Sequence, residues 1–126
     1  MPSPHRFFRA AAVVAAAGSL VAIGPSQAQD PLRIGYVYVS PIGDAGWTFQ
    51  HDKGRKEMEQ ALGGKVTSRV VENVAEGADA ERVIRELASS GSQLIFTTSF
   101  GYMNPTIKVA QQFPKVSFEH ATGYRT

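Results

Sequence analysis

Apolar positions fall along this chain in two alternating rhythms. Residues 32–39 (Leu-Arg-Ile-Gly-Tyr-Val-Tyr-Val) are dense in β-branched and aromatic side chains, the pattern of a buried strand. Residues 48–62 mix charges with apolar-leaning positions; Trp47, His51, Met58 and Leu62 follow at spacings of four, seven and four, one stripe along a helix. Gly63-Gly64 stops that helix and turns the chain. A second strand is expected over 66–73, with Val66, Val70 and Val71 as its apolar content. A second helix is expected over 78–90, with Ala80, Val83, Ile84, Leu87 and Ala88 on one face and Glu81, Arg82, Arg85 and Glu86 on the other. Glu81 precedes Arg85 by four positions, the favourable order for a helical ion pair, and Gly91 ends the helix. Residues 93–98 carry the continuous apolar run Leu94-Ile95-Phe96, which suits a central strand covered on both faces. Asn104-Pro105 reads as N-cap and first position of a third helix reaching about Gln112; Phe113-Pro114 closes it, and 116–120 forms a fourth strand.

Four strands separated by three helices predict an α/β domain: a three-layer parallel sheet with alternating helices, wound by right-handed crossovers. Open sheets of this kind bind ligands at the carboxyl ends of their strands. The loop after the first strand, Ser40-Pro41-Ile42-Gly43-Asp44-Ala45-Gly46-Trp47, is therefore the leading site candidate. Its glycines free the backbone and Pro41 stiffens it, while Asp44 offers an acceptor and Trp47 a flat ring. The loop after the third strand, Ser99-Phe100-Gly101-Tyr102-Met103, is a second candidate. His120 and Thr122, at the end of the fourth strand, line the same sheet edge. Plainer roles stand beside these: Trp47 as a core residue at a helix start, Asp44 as a cap through the Gly46 or Trp47 amide, and Phe100 buried under the third helix.

The first 28 residues stand apart from this alternation. His5-Arg6-Phe7-Phe8-Arg9 is a basic start, residues 10–23 are apolar and alanine-rich, and Gly24-Pro25 breaks the run before Ser26-Gln27-Ala28. That is the pattern of a secretory signal peptide cut after Ala28, and the apolar run is shorter than the ~20 residues a membrane span needs. Without a cysteine at the cleavage point lipid attachment is excluded, so the expected location is free in the periplasm. Removing the leader leaves eleven basic against eleven acidic residues, and no Lys/Arg cluster remains to track a nucleic acid. The chain has 126 residues, 43% of them hydrophobic and 19% charged, as suits one soluble globular domain. It has no cysteine, which excludes disulfides, thiolate catalysis and cysteine-bound zinc.

Several catalytic and cofactor patterns are missing. Gly43-Asp44-Ala45-Gly46 lacks the spacing of a dinucleotide fingerprint, and there is no phosphate-cradling G-x-x-x-x-G-K-[ST], no H-E-x-x-H and no G-x-S-x-G. No cofactor or metal is expected. His51 and Asp52 are adjacent and point apart on a helix, and Glu119 and His120 point to opposite faces of a strand. His51 is expected to touch the site loop from the helix face.

Four stretches carry a resemblance to a known family. These are Asp44-Ala45-Gly46-Trp47-Thr48-Phe49-Gln50-His51-Asp52-x-Gly54-Arg55-Lys56, Val71-Glu72-Asn73-Val74-x-Glu76-Gly77-Ala78-Asp79, Phe96-Thr97-Thr98-Ser99-Phe100-Gly101 and Phe118-Glu119-His120-Ala121-Thr122-Gly123. In this order, from Leu32 to the end, the chain resembles the basic membrane protein (BMP) family of ABC-transporter substrate-binding proteins. The resemblance implies a type I periplasmic binding fold: two α/β lobes, a hinge, and a solute in the cleft between them. It implies no enzymatic activity, a purine nucleoside or nucleobase as solute, and an inner-membrane ABC permease as partner. Carried over residue by residue, it points to Asp44 and Trp47, then Ser99 and Phe100, as first-lobe contacts. A purine wants an aromatic face and an acceptor in its own plane, which these residues supply. Residues 29–126 correspond to an incomplete first lobe, because the chain stops where a fourth helix is expected. The alternative is a secreted α/β nucleoside-processing hydrolase with Asp44 and His120 as acid-base groups.

Overall fold

The computed structural model describes residues 28–125. Apart from Ala28, the leader predicted over 1–28 lies outside the described residues. The strands are β1 (Leu32–Val37), β2 (Val66–Val71), β3 (Leu94–Thr97) and β4 (Ser117–His120), separated by α1 (Trp47–Leu62), α2 (Ala78–Ser89) and α3 (Met103–Ala110). All pairings are parallel and the spatial order is β2-β1-β3-β4. The chain leaves β1 toward one side for β2 and returns to the other side for β3. The direction of winding therefore reverses between β1 and β3, the point at which such sheets form a ligand crevice. Register brings Val37 beside both Val71 and Thr97, and Thr97 beside His120, so four carboxyl ends meet at one edge.

The sheet is apolar on both faces, which is why β1 and β3 read as nearly continuous apolar runs. One face packs Val37 and Ile95 against Ala80, Val83, Ile84, Leu87 and Ala88 of α2 and Val109 of α3. The second-helix stripe read from the sequence is thus the buried one. The other face clusters Ile34, Tyr36, Tyr38 and Val66 with Met58 of α1, and Tyr36 stacks on Phe96 at 5.0 Å with 13° between rings. Gly35 is buried in β1, where a methyl would meet Leu87 Cδ1 at 3.1 Å and Ser92 Oγ at 3.2 Å.

Two expectations are corrected. The buried side of α1 is not the stripe of Trp47, His51, Met58 and Leu62: Trp47 and Leu62 are exposed, and the fully buried residues are Thr48 and Asp52. Polar partners make that possible. Arg55 Nε bonds Asp52 Oδ1 at 2.8 Å, Arg55 Nη1 bonds Glu59 at 2.9 Å, and Lys56 Nζ lies 2.9 Å from Asp52 Oδ2. A buried carboxylate among paired cations satisfies the interior without a hydrophobic repeat. Asn104 is also not an N-cap: a 3-10 turn, Phe100–Tyr102, runs directly into α3, whose N-cap is Tyr102. Pro105 then falls in the first turn, where its missing N–H is no loss.

Candidate functional site

The loop after β1 is fastened at both ends. Ser40 Oγ shares a 2.7 Å hydrogen bond with Thr48 Oγ1, and the Ile42 amide donates to Glu72 Oε2 at 2.9 Å. Gly46, at φ 92°, is the N-cap of α1 with no side-chain cap, so Asp44 does not serve as one. Its carboxylate is exposed beside the helix start. Trp47 follows, 49% exposed, so it is not a core residue. Its Nε1–H donates to the Thr98 carbonyl at 2.5 Å and its ring meets His51 edge-on at 4.6 Å. The ring is therefore pinned across the β1–β3 reversal with half its surface open, and His51 touches the loop as the sequence suggested.

The loop after β3 is fastened from the β2 side. Ser99 Oγ donates to Glu76 Oε1 at 2.5 Å, and the Gly101 amide donates to the same oxygen at 3.0 Å. Beneath it, the buried Tyr102 hydroxyl donates to the Val74 carbonyl at 2.5 Å. Burial, with Glu76 and Asp79 adding to it, raises the Tyr102 phenol above its ordinary range, so it stays a donor. Tyr102 is the aromatic of this loop that lies in the core; Phe100 is 61% exposed, its ring 6.4 Å from that of Tyr124.

At the end of β4 the His120 ring turns back onto β3. Its Nδ1 lies 2.9 Å from Thr97 Oγ1 and 3.1 Å from the Thr97 carbonyl, which can only accept, so Nδ1 carries the proton of a neutral ring. Burial holds this imidazole below its usual range, opposed by the carbonyl bond; burial alone lowers His51. Gly123 covers His120 so closely that a Cβ there would strike the ring. Thr122 is exposed at φ 73°, a left-handed conformation that is rare and strained for a β-branched residue. Tyr36, His51, Phe96, Thr97, Thr98 and His120 surround a cavity of about 310 Å³ between α1 and this edge.

Of the six sequence candidates, Asp44, Trp47, Ser99, Phe100 and Thr122 lie in the segments that follow β1, β3 and β4, and His120 is the last residue of β4, so all six stand at one sheet edge. Trp47 is tied directly to the β3 loop, and Ser99 is tied to Glu76 instead of standing free. Sequence reasoning assigned no role to Glu72 and Glu76, which fasten the two site loops. Their signal was present in Val71-Glu72-Asn73-Val74-Ala75-Glu76-Gly77, two carboxylates in a loop that also ends at this edge.

A parallel α/β sheet with its candidate loops gathered at the winding reversal is an architecture that binds ligands in the crevice there. The Bmp family, described as ABC transporter substrate-binding protein PnrA-like, matches residues 32–126, and the chain belongs to it. A purine-binding protein of Brucella abortus is 56% identical over 114 residues, 90% of this chain and 33% of that relative. A Haloferax volcanii protein described as an ABC transporter glucose-binding protein is 41% identical over 103 residues, 82% of this chain and 26% of that relative. The solved structure of an ABC transporter solute-binding protein from Conexibacter woesei shares the fold, with a TM-score of 0.62 at 23% identity over 69% of this chain and 28% of that one. The chain spans a third or less of the length of each of these proteins. Among the described residues, no helix is long and apolar enough to cross a membrane.

Proposed function

We propose that this chain furnishes one wall of the solute site of a periplasmic ABC-importer binding protein, and that the solute is a purine nucleoside or nucleobase. The opposing lobe and the hinge lie outside this chain, and an inner-membrane permease receives the solute. The observation that carries the reading is Trp47: an aromatic ring half open to solvent, pinned by Thr98 at the winding reversal. A fixed flat ring favours a flat ligand, because no rotamer freedom is lost when the ligand stacks on it. Phe100 supplies a second exposed aromatic, and Asp44 an acceptor for an edge N–H. Ser99, His120 and Thr122 complete the polar edge. The purine-binding relative supports the same solute class.

A sugar is the second reading, favoured by the glucose-binding relative, since an aromatic face also accepts a pyranose. The hydrolase alternative finds no support. Among the described residues His120 is hydrogen-bonded to Thr97 alone, and no carboxylate, Asp44 included, pairs with it. Export through a leader cut after Ala28 accords with the periplasmic reading. Mass spectrometry of small molecules released from purified full-length protein tests the solute class. A purine supports the reading; a sugar, or a purine returned chemically altered, rejects it.

A further inference from the structure

One carboxylate holds both residues that flank Phe100. Glu76 Oε1 accepts from Ser99 Oγ at 2.5 Å and from the Gly101 amide at 3.0 Å. The contact is close: a Cβ built on Gly101 would fall inside the Glu76 carboxylate. Gly101 lies in a 3-10 turn, not in the left-handed region, so space and not backbone angle excludes a side chain there. Between these two anchored residues Phe100 is 61% exposed and has little packing of its own to fix it. Glu76 itself is anchored from below, because its loop is stitched to the residue that follows β1 by the Val74 amide on the Tyr38 carbonyl at 3.0 Å. The Tyr102 hydroxyl closes the other side onto Val74.

The geometry points to Glu76 as a positioning residue: it fixes the Ser99–Gly101 segment, and so sets where Phe100 stands at the solute edge. An exposed aromatic on an unbraced loop would lose affinity to the cost of ordering it, and the brace removes that cost before the solute arrives. The effect on solute affinity rests on the proposed function; the bracing of the loop does not. Two hydrogen bonds to a charged acceptor are strong enough for their loss to be read as a large change in affinity.

The test is calorimetric titration of adenosine into the full-length protein, with amide exchange at Gly101 followed in parallel. Glu76→Ala should weaken adenosine about tenfold or more with the thermal midpoint little changed, and should speed exchange at the Gly101 amide. Glu76→Gln should retain most of the affinity, because a carboxamide oxygen can still accept both bonds. Gly101→Ala should reproduce the loss by displacing the carboxylate. On the Glu76→Ala background the same change should cost almost nothing further, since the methyl then has room. Additive losses, or a lowered midpoint with affinity and exchange unchanged, would overturn the assignment. Glu76→Gln as damaging as Glu76→Ala would also overturn it, in favour of a direct charge contact with the solute. Wild-type protein indifferent to adenosine would refute the purine reading alone, and exchange at Gly101 would still decide the role of Glu76.

Discussion

Trp47 and Thr98 are 51 residues apart in the chain and joined by a 2.5 Å hydrogen bond from the indole N–H to the backbone carbonyl. The bond spans the place where the sheet reverses its winding, linking the first turn of α1 to the end of β3. It ties down the only tryptophan in the sequence while leaving about half of its surface exposed. From this bond, and from the polar interior beneath α1, the following outcomes are expected.

Asp52→Ala should destabilise the protein by about 3 kcal/mol, the lower end of the ~3–5 expected when one member of a buried ion pair is removed. The lower end applies because Arg55 keeps Glu59 as a partner. Urea unfolding measures it; a change below about 1 kcal/mol would contradict a structural role for the buried pair.

Acid should weaken the fold in two steps. His51 and His120 are held low by burial, so between about pH 6.5 and their folded values the unfolded chain binds more protons, and stability falls as pH drops. Asp52 behaves as a paired carboxylate: burial would raise it, but the bonds and charges of Arg55 and Lys56 prevail and lower it. Its contribution is complete above about pH 3.9 and is lost as pH falls through the folded value. Urea midpoints across pH should decline below about 6.5 and again below about 4. Replacing both histidines by Gln should remove the first decline only, and a first decline that survives that change would contradict the assignment.

Gly35→Ala should cost about 1–3 kcal/mol through overpacking, because the new methyl meets Leu87 and Ser92 at 3.1 and 3.2 Å. Leu87→Ala creates room for it, so the double variant should lose less than the sum of the two singles. Simple additivity would show that β1 and α2 are not packed this closely.

The order and type of the four strands and three α-helices were legible in the sequence, because β-branched and aromatic runs alternate with helical spacing and glycine marks the turns. The stripe on α1 was misread for a physical reason. Apolar spacing reports a hydrophobic interface, and α1 instead buries Thr48 and Asp52 behind Arg55, which pattern reasoning sees as a solvated face. The start of α3 was misplaced because Asn104-Pro105 imitates a cap, whereas a preceding 3-10 turn had already begun the winding. The site loops could be named from their place after strands. What fastens them could not: the contacts from Glu72 to Ile42 and from Glu76 to Ser99 and Gly101 cross 23 to 30 residues and depend on a strand order that spacing alone does not fix.

Processing gives a check independent of the fold. Cleavage after Ala28 predicts that periplasmic protein begins at Gln29, and N-terminal sequencing of an exported sample reads this directly. Exported, soluble protein retaining Met1 would contradict the leader.

The measurement closest to the central claim is calorimetric titration of adenosine, adenine and glucose into full-length wild-type protein and into Trp47→Ala. The account predicts that both purines bind the wild type and that glucose does not. It predicts that Trp47→Ala loses roughly 1–3 kcal/mol of purine affinity, about five- to 150-fold, in a protein that still folds with only a modestly lowered thermal midpoint, because the lost ring was half exposed. Trp47→Phe should recover most of the loss, since a smaller ring still stacks. Purine affinity that is the same in Trp47→Ala as in the wild type, or binding of glucose in preference to both purines, would contradict it.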